Sequence, residues 1–127
     1  MIVLDTHAWI WWTSEPKKLS RPARYRLRKA DRIGVPAISC WEFAMLVDRG
    51  RIRIDRGAVE WIEQALAQPR VELLPLTPSV AVTSTQLGDF HGDPADRLVV
   101  ATAIVHSAKL ISQDGKIGAC PLVETVW

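Results

Sequence analysis

The chain has 127 residues, 48% hydrophobic and 24% charged, which gives one globular domain with material for a core and excludes a disordered chain. No apolar run approaches the roughly 20 residues of a transmembrane helix. The start Met1-Ile2-Val3-Leu4-Asp5 lacks the basic segment of a signal peptide, so a cytoplasmic protein with Cys40 and Cys120 reduced and buried is expected, without a membrane. The net charge of +2 excludes little, but 12 of the 16 basic residues fall in the first 56 positions, a possible footprint for a polyanion.

Ile2-Val3-Leu4 is a continuous apolar run, as in a strand buried on both faces. It stops at Asp5, which puts an acid at the carboxyl end of a buried strand, where open α/β sheets place ligands. Asp5 or Thr6 also suits the cap of a helix over 8–13. That helix carries Trp9, Trp11 and Trp12, a cluster read as core or dimer packing rather than a base-stacking platform. Residues 15–18 read as a loop. Ser20 starts a basic helix to about Ala30, with Leu27 and Tyr25 facing inward. The stretch 17–32 holds eight cations against Asp31 alone.

Residues 33–38 form the second strand, although Pro36 argues against a central one. Ser39 and Glu42 match a capping box at the head of a helix running to Gly50. Arg49, Arg51, Arg53 and Arg56 make a second basic cluster. A helix over 57–68 is expected with Val59, Ile62 and Leu66 inward, then a strand over 71–76 and a helix from Thr77-Pro78 to about Leu87. A loop over 89–92 follows, and His7, His91 and His106 show no metal-ligand spacing. Asp93 suits an N-cap, Pro94 the first helical position and Asp96 the first turn of a largely apolar helix. A fourth strand over 109–112 delivers Gln113 and Asp114, and 121–126 suits a short edge strand. This alternation favours a parallel sheet with helices on both faces.

Strand ends and the helix starts that follow them share one edge of a parallel sheet, so Asp5, Glu42, Asp96 and Asp114 can converge. Two like charges about 4 Å apart repel by roughly 4 kcal/mol at an effective dielectric near 20. Four acids together therefore call for a cation. Oxygen donors without a converging His or Cys suit Mg²⁺ or Mn²⁺, and such an ion suits phosphodiester hydrolysis. Asp93 can cap its helix, bond metal-bound waters, or both. Thr6 and Ser112 stand as supports behind the ligands. Arg97 can meet a phosphate or pair with an acid, and pairing is preferred. Nucleotide-binding and nucleophile-elbow signatures are absent, and a phosphoaspartyl receiver would need a lysine and an acid pair that are not well placed.

Asp5-Thr6-His7, Ser39-Cys40-Trp41-Glu42, Asp93-Pro94-Ala95-Asp96-Arg97 and Leu110-Ile111-Ser112-Gln113-Asp114, in this order, resemble the PIN-domain ribonucleases. Within them they resemble the VapC toxins of type II toxin–antitoxin modules. The resemblance implies a three-layer α/β/α sandwich around a mainly parallel sheet of about five strands, built as one domain and as a homodimer. It puts the family's acidic quartet on Asp5, Glu42, Asp96 and Asp114, and implies Mg²⁺- or Mn²⁺-dependent endonucleolytic cleavage of RNA. It also implies a cognate antitoxin, often with a basic side chain set into the acidic pocket. Gly115 beside Asp114 departs from the family pattern and predicts a mobile loop there. On this reading Lys17, Lys18, Arg21, Arg24, Arg28, Arg49, Arg51 and Arg53 bind the RNA backbone. A catalytically silent RNA- or protein-binding domain and a structure-specific DNA nuclease are the alternatives.

Overall fold

The computed structural model describes residues 1–90 and 92–127; the reading of His91 as a loop histidine lies outside them. Five short strands form one sheet: β1 (Ile2–Leu4), β2 (Ile33–Pro36), β3 (Val71–Leu74), β4 (Lys109–Ile111) and β5 (Thr125–Val126). They lie in the order β3-β2-β1-β4-β5, and every pairing is parallel. Around them run α1 (Thr6–Ser14), α2 (Arg21–Lys29), α3 (Ala37–Asp48), α4 (Ala58–Leu66), α5 (Pro78–Ser84), α6 (Pro94–Val105) and the short α7 (Gly115–Gly118). A 3₁₀ turn over Pro16–Lys18 replaces the loop expected there.

Period-two alternation in the strands splits the core between the two faces. Ile2 and Leu4 of β1 pack with Trp9, Phe43, Trp61, Leu27 and Ile111 on one side. Val3 packs with Val99, Val100, Leu110 and Ile117 on the other. The result is the expected three-layer sandwich with a parallel sheet of five strands. Among the described residues no helix is long and apolar enough to cross a membrane.

Several local expectations are corrected. Tyr25 and Val59 face solvent at 51% and 69% exposure. Leu27 is buried as expected and Ala23 completes the stripe of α2, while Trp61 and Ala65 form that of α4, one position round the helix from Ile62 and Leu66. Cys120 is buried and free, whereas Cys40 is free but only half-buried. Pro36 does sit in a buried strand, at its last residue opposite Leu74, where the missing N–H ends the ladder. The helix that follows starts at once at Ala37, with Pro36 in the cap position. Ser39 is therefore inside α3, and no capping box joins it to Glu42.

Candidate active site

The chain leaves β1 toward β2 on one side and reaches β4 on the other, so the crevice beyond the carboxyl ends of β1 and β4 is the topological switch point. Asp5 follows β1 directly. It caps α1, its Oδ1 accepting the Ala8 N–H at 2.8 Å, and it is only 8% exposed. Asp114 follows β4 by way of Ser112 and caps α7, accepting the Lys116 N–H at 2.8 Å. Gly115 is thus the first residue of a helix rather than of the mobile loop predicted from the sequence. Asp96 stands in the first turn of α6, where Asp93 Oδ1 accepts its N–H at 2.8 Å. A side chain at Gly92 would meet the Phe90 ring and the Cβ of Asp96, so the approach to α6 requires glycine there.

Glu42 arrives by a different route from the one expected. With α3 beginning at Ala37, it projects from the second turn, and the Thr6 hydroxyl donates to its Oε1. Thr6 Oγ1 also lies 2.9 Å from the buried Ser39 Oγ. A hydroxyl carries one proton, so with that proton on Glu42 the Ser39 hydroxyl is the donor to Thr6. Ser39 and Thr6 form a relay that fixes one oxygen of Glu42.

Asp5, Glu42, Asp93, Asp96 and Asp114 line a single cavity of about 450 Å³ together with Thr6, His7, Trp11, Val99 and Gln113. Among the described residues none of these acids forms an ion pair. Burial pushes the Asp5 carboxyl up, opposed by hydrogen bonds from Ser112 and the Ala8 N–H. Burial also raises Glu42, partly offset by Thr6 and reinforced by the charge of Asp93. Asp96 is lifted to about 7, first by desolvation and then by Asp93, Asp114 and Glu42. A pocket with this many anionic oxygens and no neutralising side chain matches a hard divalent cation. Among the described residues no three His, Cys, Asp or Glu side chains form a ready-made cage. Such donors suit a hard divalent cation that keeps waters of its own.

Arg97 does not pair with an acid. Its guanidinium donates to the Ser84 carbonyl at 3.0 Å and the Phe90 carbonyl at 2.7 Å, tying α6 to the end of α5 and the loop beyond. Those carbonyls are left over where helix and loop end, and they claim the fork that the sequence assigned to a carboxylate.

The predicted basic residues do not form one surface. Lys18, Arg51 and Arg53 line a groove of about 860 Å³ with Arg56 and an apolar wall that includes Ile10, Leu46, Ile54 and Trp61. His7 and Trp11 line both this groove and the acidic pocket, so the two spaces adjoin. Arg24 and Arg28 border a separate small cavity with Trp12 and Arg70. Arg70, just before β3, donates to the carbonyls of Leu27 and Ala30, which holds the end of α2 near the amino ends of the strands, away from the acids. Lys17, Arg21 and Arg49 are exposed. The sequence reading missed His7 and Trp11 on the pocket rim. Their only signal was position, within two turns of the acid that ends β1.

The family profile described as PIN domain matches residues 2–119. Ribonuclease VapC22 of Mycobacterium tuberculosis is 40% identical, the alignment covering 99% of this chain and 98% of that protein. Two solved structures share the fold. One is VapBC2 from Rickettsia felis bound to a DNA fragment from its promoter (TM-score 0.73, 18% identity, 99% of this chain and 98% of that one). The other is a toxin–antitoxin complex from Klebsiella pneumoniae (TM-score 0.71, 19% identity, 100% of this chain and 97% of that one).

Proposed function

The chain belongs to the PIN-domain family, and on that premise we propose that it is a divalent-metal-dependent endoribonuclease acting as the toxin of a toxin–antitoxin pair. The observation that carries the proposal is the shared cavity of Asp5, Glu42, Asp96 and Asp114, which no described cation neutralises. Kinship over nearly the whole chain with a protein named as a ribonuclease supports RNA as the substrate.

In this reading Asp5, Asp96 and Asp114 would hold Mg²⁺ or Mn²⁺, and Glu42 completes the quartet. Positive charge from such an ion would offset the charge that develops on the phosphate oxygens and would let the carboxylates stay ionised together. Glu42 orients the attacking water and takes its proton. Burial lifts its carboxyl above the ordinary value, the direction a general base needs, while Thr6 occupies one oxygen and leaves the other for the water. Ser112 steadies Asp5, and Asp93 adds an acceptor at the exposed lip. In-line displacement breaks the P–O3′ bond and leaves a 5′-phosphate and a 3′-hydroxyl, the departing oxygen taking its proton from solvent water. Lys18, Arg51 and Arg53 hold the RNA backbone along the adjoining groove, which makes affinity salt-sensitive.

A cognate antitoxin that sets a basic side chain among these acids would neutralise the pocket and silence it. Assembly as a homodimer is part of the same proposal. The test is a mixed RNA pool incubated with Mg²⁺ or with EDTA. Cleavage in Mg²⁺ alone, with 5′-phosphate ends, is expected. Equal cleavage in EDTA overturns metal dependence, preferential cutting of structured DNA overturns the substrate, and no cleavage in either leaves a silent binding domain.

A further inference from the structure

Trp9 and Trp11 share one helix but not one environment. Two residues along an α-helix turn the side chain by about 200°. Trp9 faces the sheet at 0% exposure, edge-on to Phe43 and Trp61 at 6.0 and 5.3 Å between ring centroids. Trp11 points the other way and is only half-buried. His7, one turn earlier, has its ring 5.8 Å from Trp11, and Trp127 lies 5.8 Å from it as well, carried by the edge of the sheet. The Lys18 ammonium sits 5.8 Å from the Trp11 centroid. His7 is exposed, whereas Trp11 and Trp127 are half-buried and pack on one side against the core cluster around Trp9 and Phe43, which leaves the rest of each ring uncovered.

His7 and Trp11 stand where the acidic pocket opens into the basic groove, because they line both, with Trp127 behind Trp11. We propose that His7 and Trp11, backed by Trp127, form a stacking track for the bases of single-stranded RNA, holding the nucleotide next to the bond that lies in the acidic pocket. The proposal rests on the nuclease reading and adds to it the part of the substrate that the protein grips. Aromatic faces take unpaired bases of any sequence, while cations beside them follow the phosphates. Arg51 and Arg53 supply that second element along the same groove, with Lys18, paired to Glu15 at 3.3 Å, beside them. Paired bases present no free face to such rings, so the track selects loops and single strands. A protein segment lying on the same rings would need acidic or apolar side chains rather than bases, and the test below separates the two.

Binding of a short fluorescent single-stranded RNA is measured on the full chain carrying Asp96→Asn, so that the strand survives. Adding Trp11→Ala should weaken binding by about 10-fold, and Trp11→Phe should recover most of the loss. A strand of the same length made of abasic sugars should bind equally well with and without Trp11→Ala. Unchanged RNA affinity in Trp11→Ala overturns the track, and so does an equal loss on the abasic strand, which would mean backbone contact only. Loss of antitoxin capture with RNA affinity intact gives the rings to the protein partner and also overturns it. Should Trp11→Ala fail to fold, His7→Ala carries the same comparison. If the parent chain binds RNA with this base dependence yet never cuts it, the nuclease reading falls and the track stands.

Discussion

Asp96→Asn is expected to lower RNA cleavage by about 10³-fold or more while leaving the chain folded. At about 1.4 kcal/mol per tenfold this corresponds to roughly 4 kcal/mol of lost transition-state stabilisation, a reasonable size for removing one anionic donor from a cation site. Folding should survive because the hydrogen bond that seats Asp96 uses its backbone N–H, with Asp93 Oδ1 as acceptor. Asparagine keeps the shape and loses the charge. The favourable term with the helix dipole goes, about 0.3–1 kcal/mol, but so does the repulsion from Asp93, Asp114 and Glu42. Cleavage rates at matched thermal midpoints decide the matter. Turnover within a few-fold of the parent would remove Asp96 from the chemistry.

Phe43→Ala has the largest expected effect on stability. Phe43 is fully buried, stacked on Trp61 at 4.0 Å with 16° between the planes and edge-on to Trp9 at 6.0 Å. Truncating such an aromatic removes its transfer free energy and leaves a cavity that the rigid indoles cannot fill. The cost is about 3–5 kcal/mol, a large share of the roughly 5–15 kcal/mol that holds a domain folded. Urea titration should show the midpoint drop with the slope preserved. Phe43 also follows Glu42 on α3, so the same cluster that anchors the helix sets where the Glu42 carboxylate points. A loss below about 1 kcal/mol would mean that the three-ring cluster is not the keystone of this face.

How far the site could be read from the residues depended on whether local grammar or tertiary packing placed each one. Asp5, Asp96 and Asp114 were legible because an acid after an apolar strand, or two positions behind an Asp-Pro cap, has its edge of the sheet decided locally. Glu42 was selected for a local reason that the fold does not use. The competing signal was Pro36, which ends β2 and lets α3 start at Ala37, so the Ser39 hydroxyl turns from a cap into the first link of the relay to Glu42. The short α7 left no trace, since four residues, two of them glycines, show no period. Tyr25 and Val59 were misassigned because a nine-residue helix offers few apolar positions from which to fix its face. The partners of Arg97 are carbonyls, which every sequence contains and none advertises. Nor could the division of the basic residues between two cavities be read from charge density, because it follows from Arg70 pinning the end of α2.

Carboxyl-carbon NMR of Asp96 as a function of pH, without and with saturating Mg²⁺, addresses the acidic pocket at its centre. Without metal the group should titrate near 7 against an ordinary value of 3.8. Because the folded value is the higher one, the folded chain holds this proton more tightly than the unfolded chain does. That stability is complete below about 4 and is lost as pH rises through about 7. Mg²⁺ should drive the midpoint down below its ordinary value and raise the thermal midpoint at pH 8, and Asp96→Asn should blunt that rise. An Asp96 that titrates near 3.8 and ignores Mg²⁺ would contradict the account, because the acids would then neither crowd one another nor share an ion.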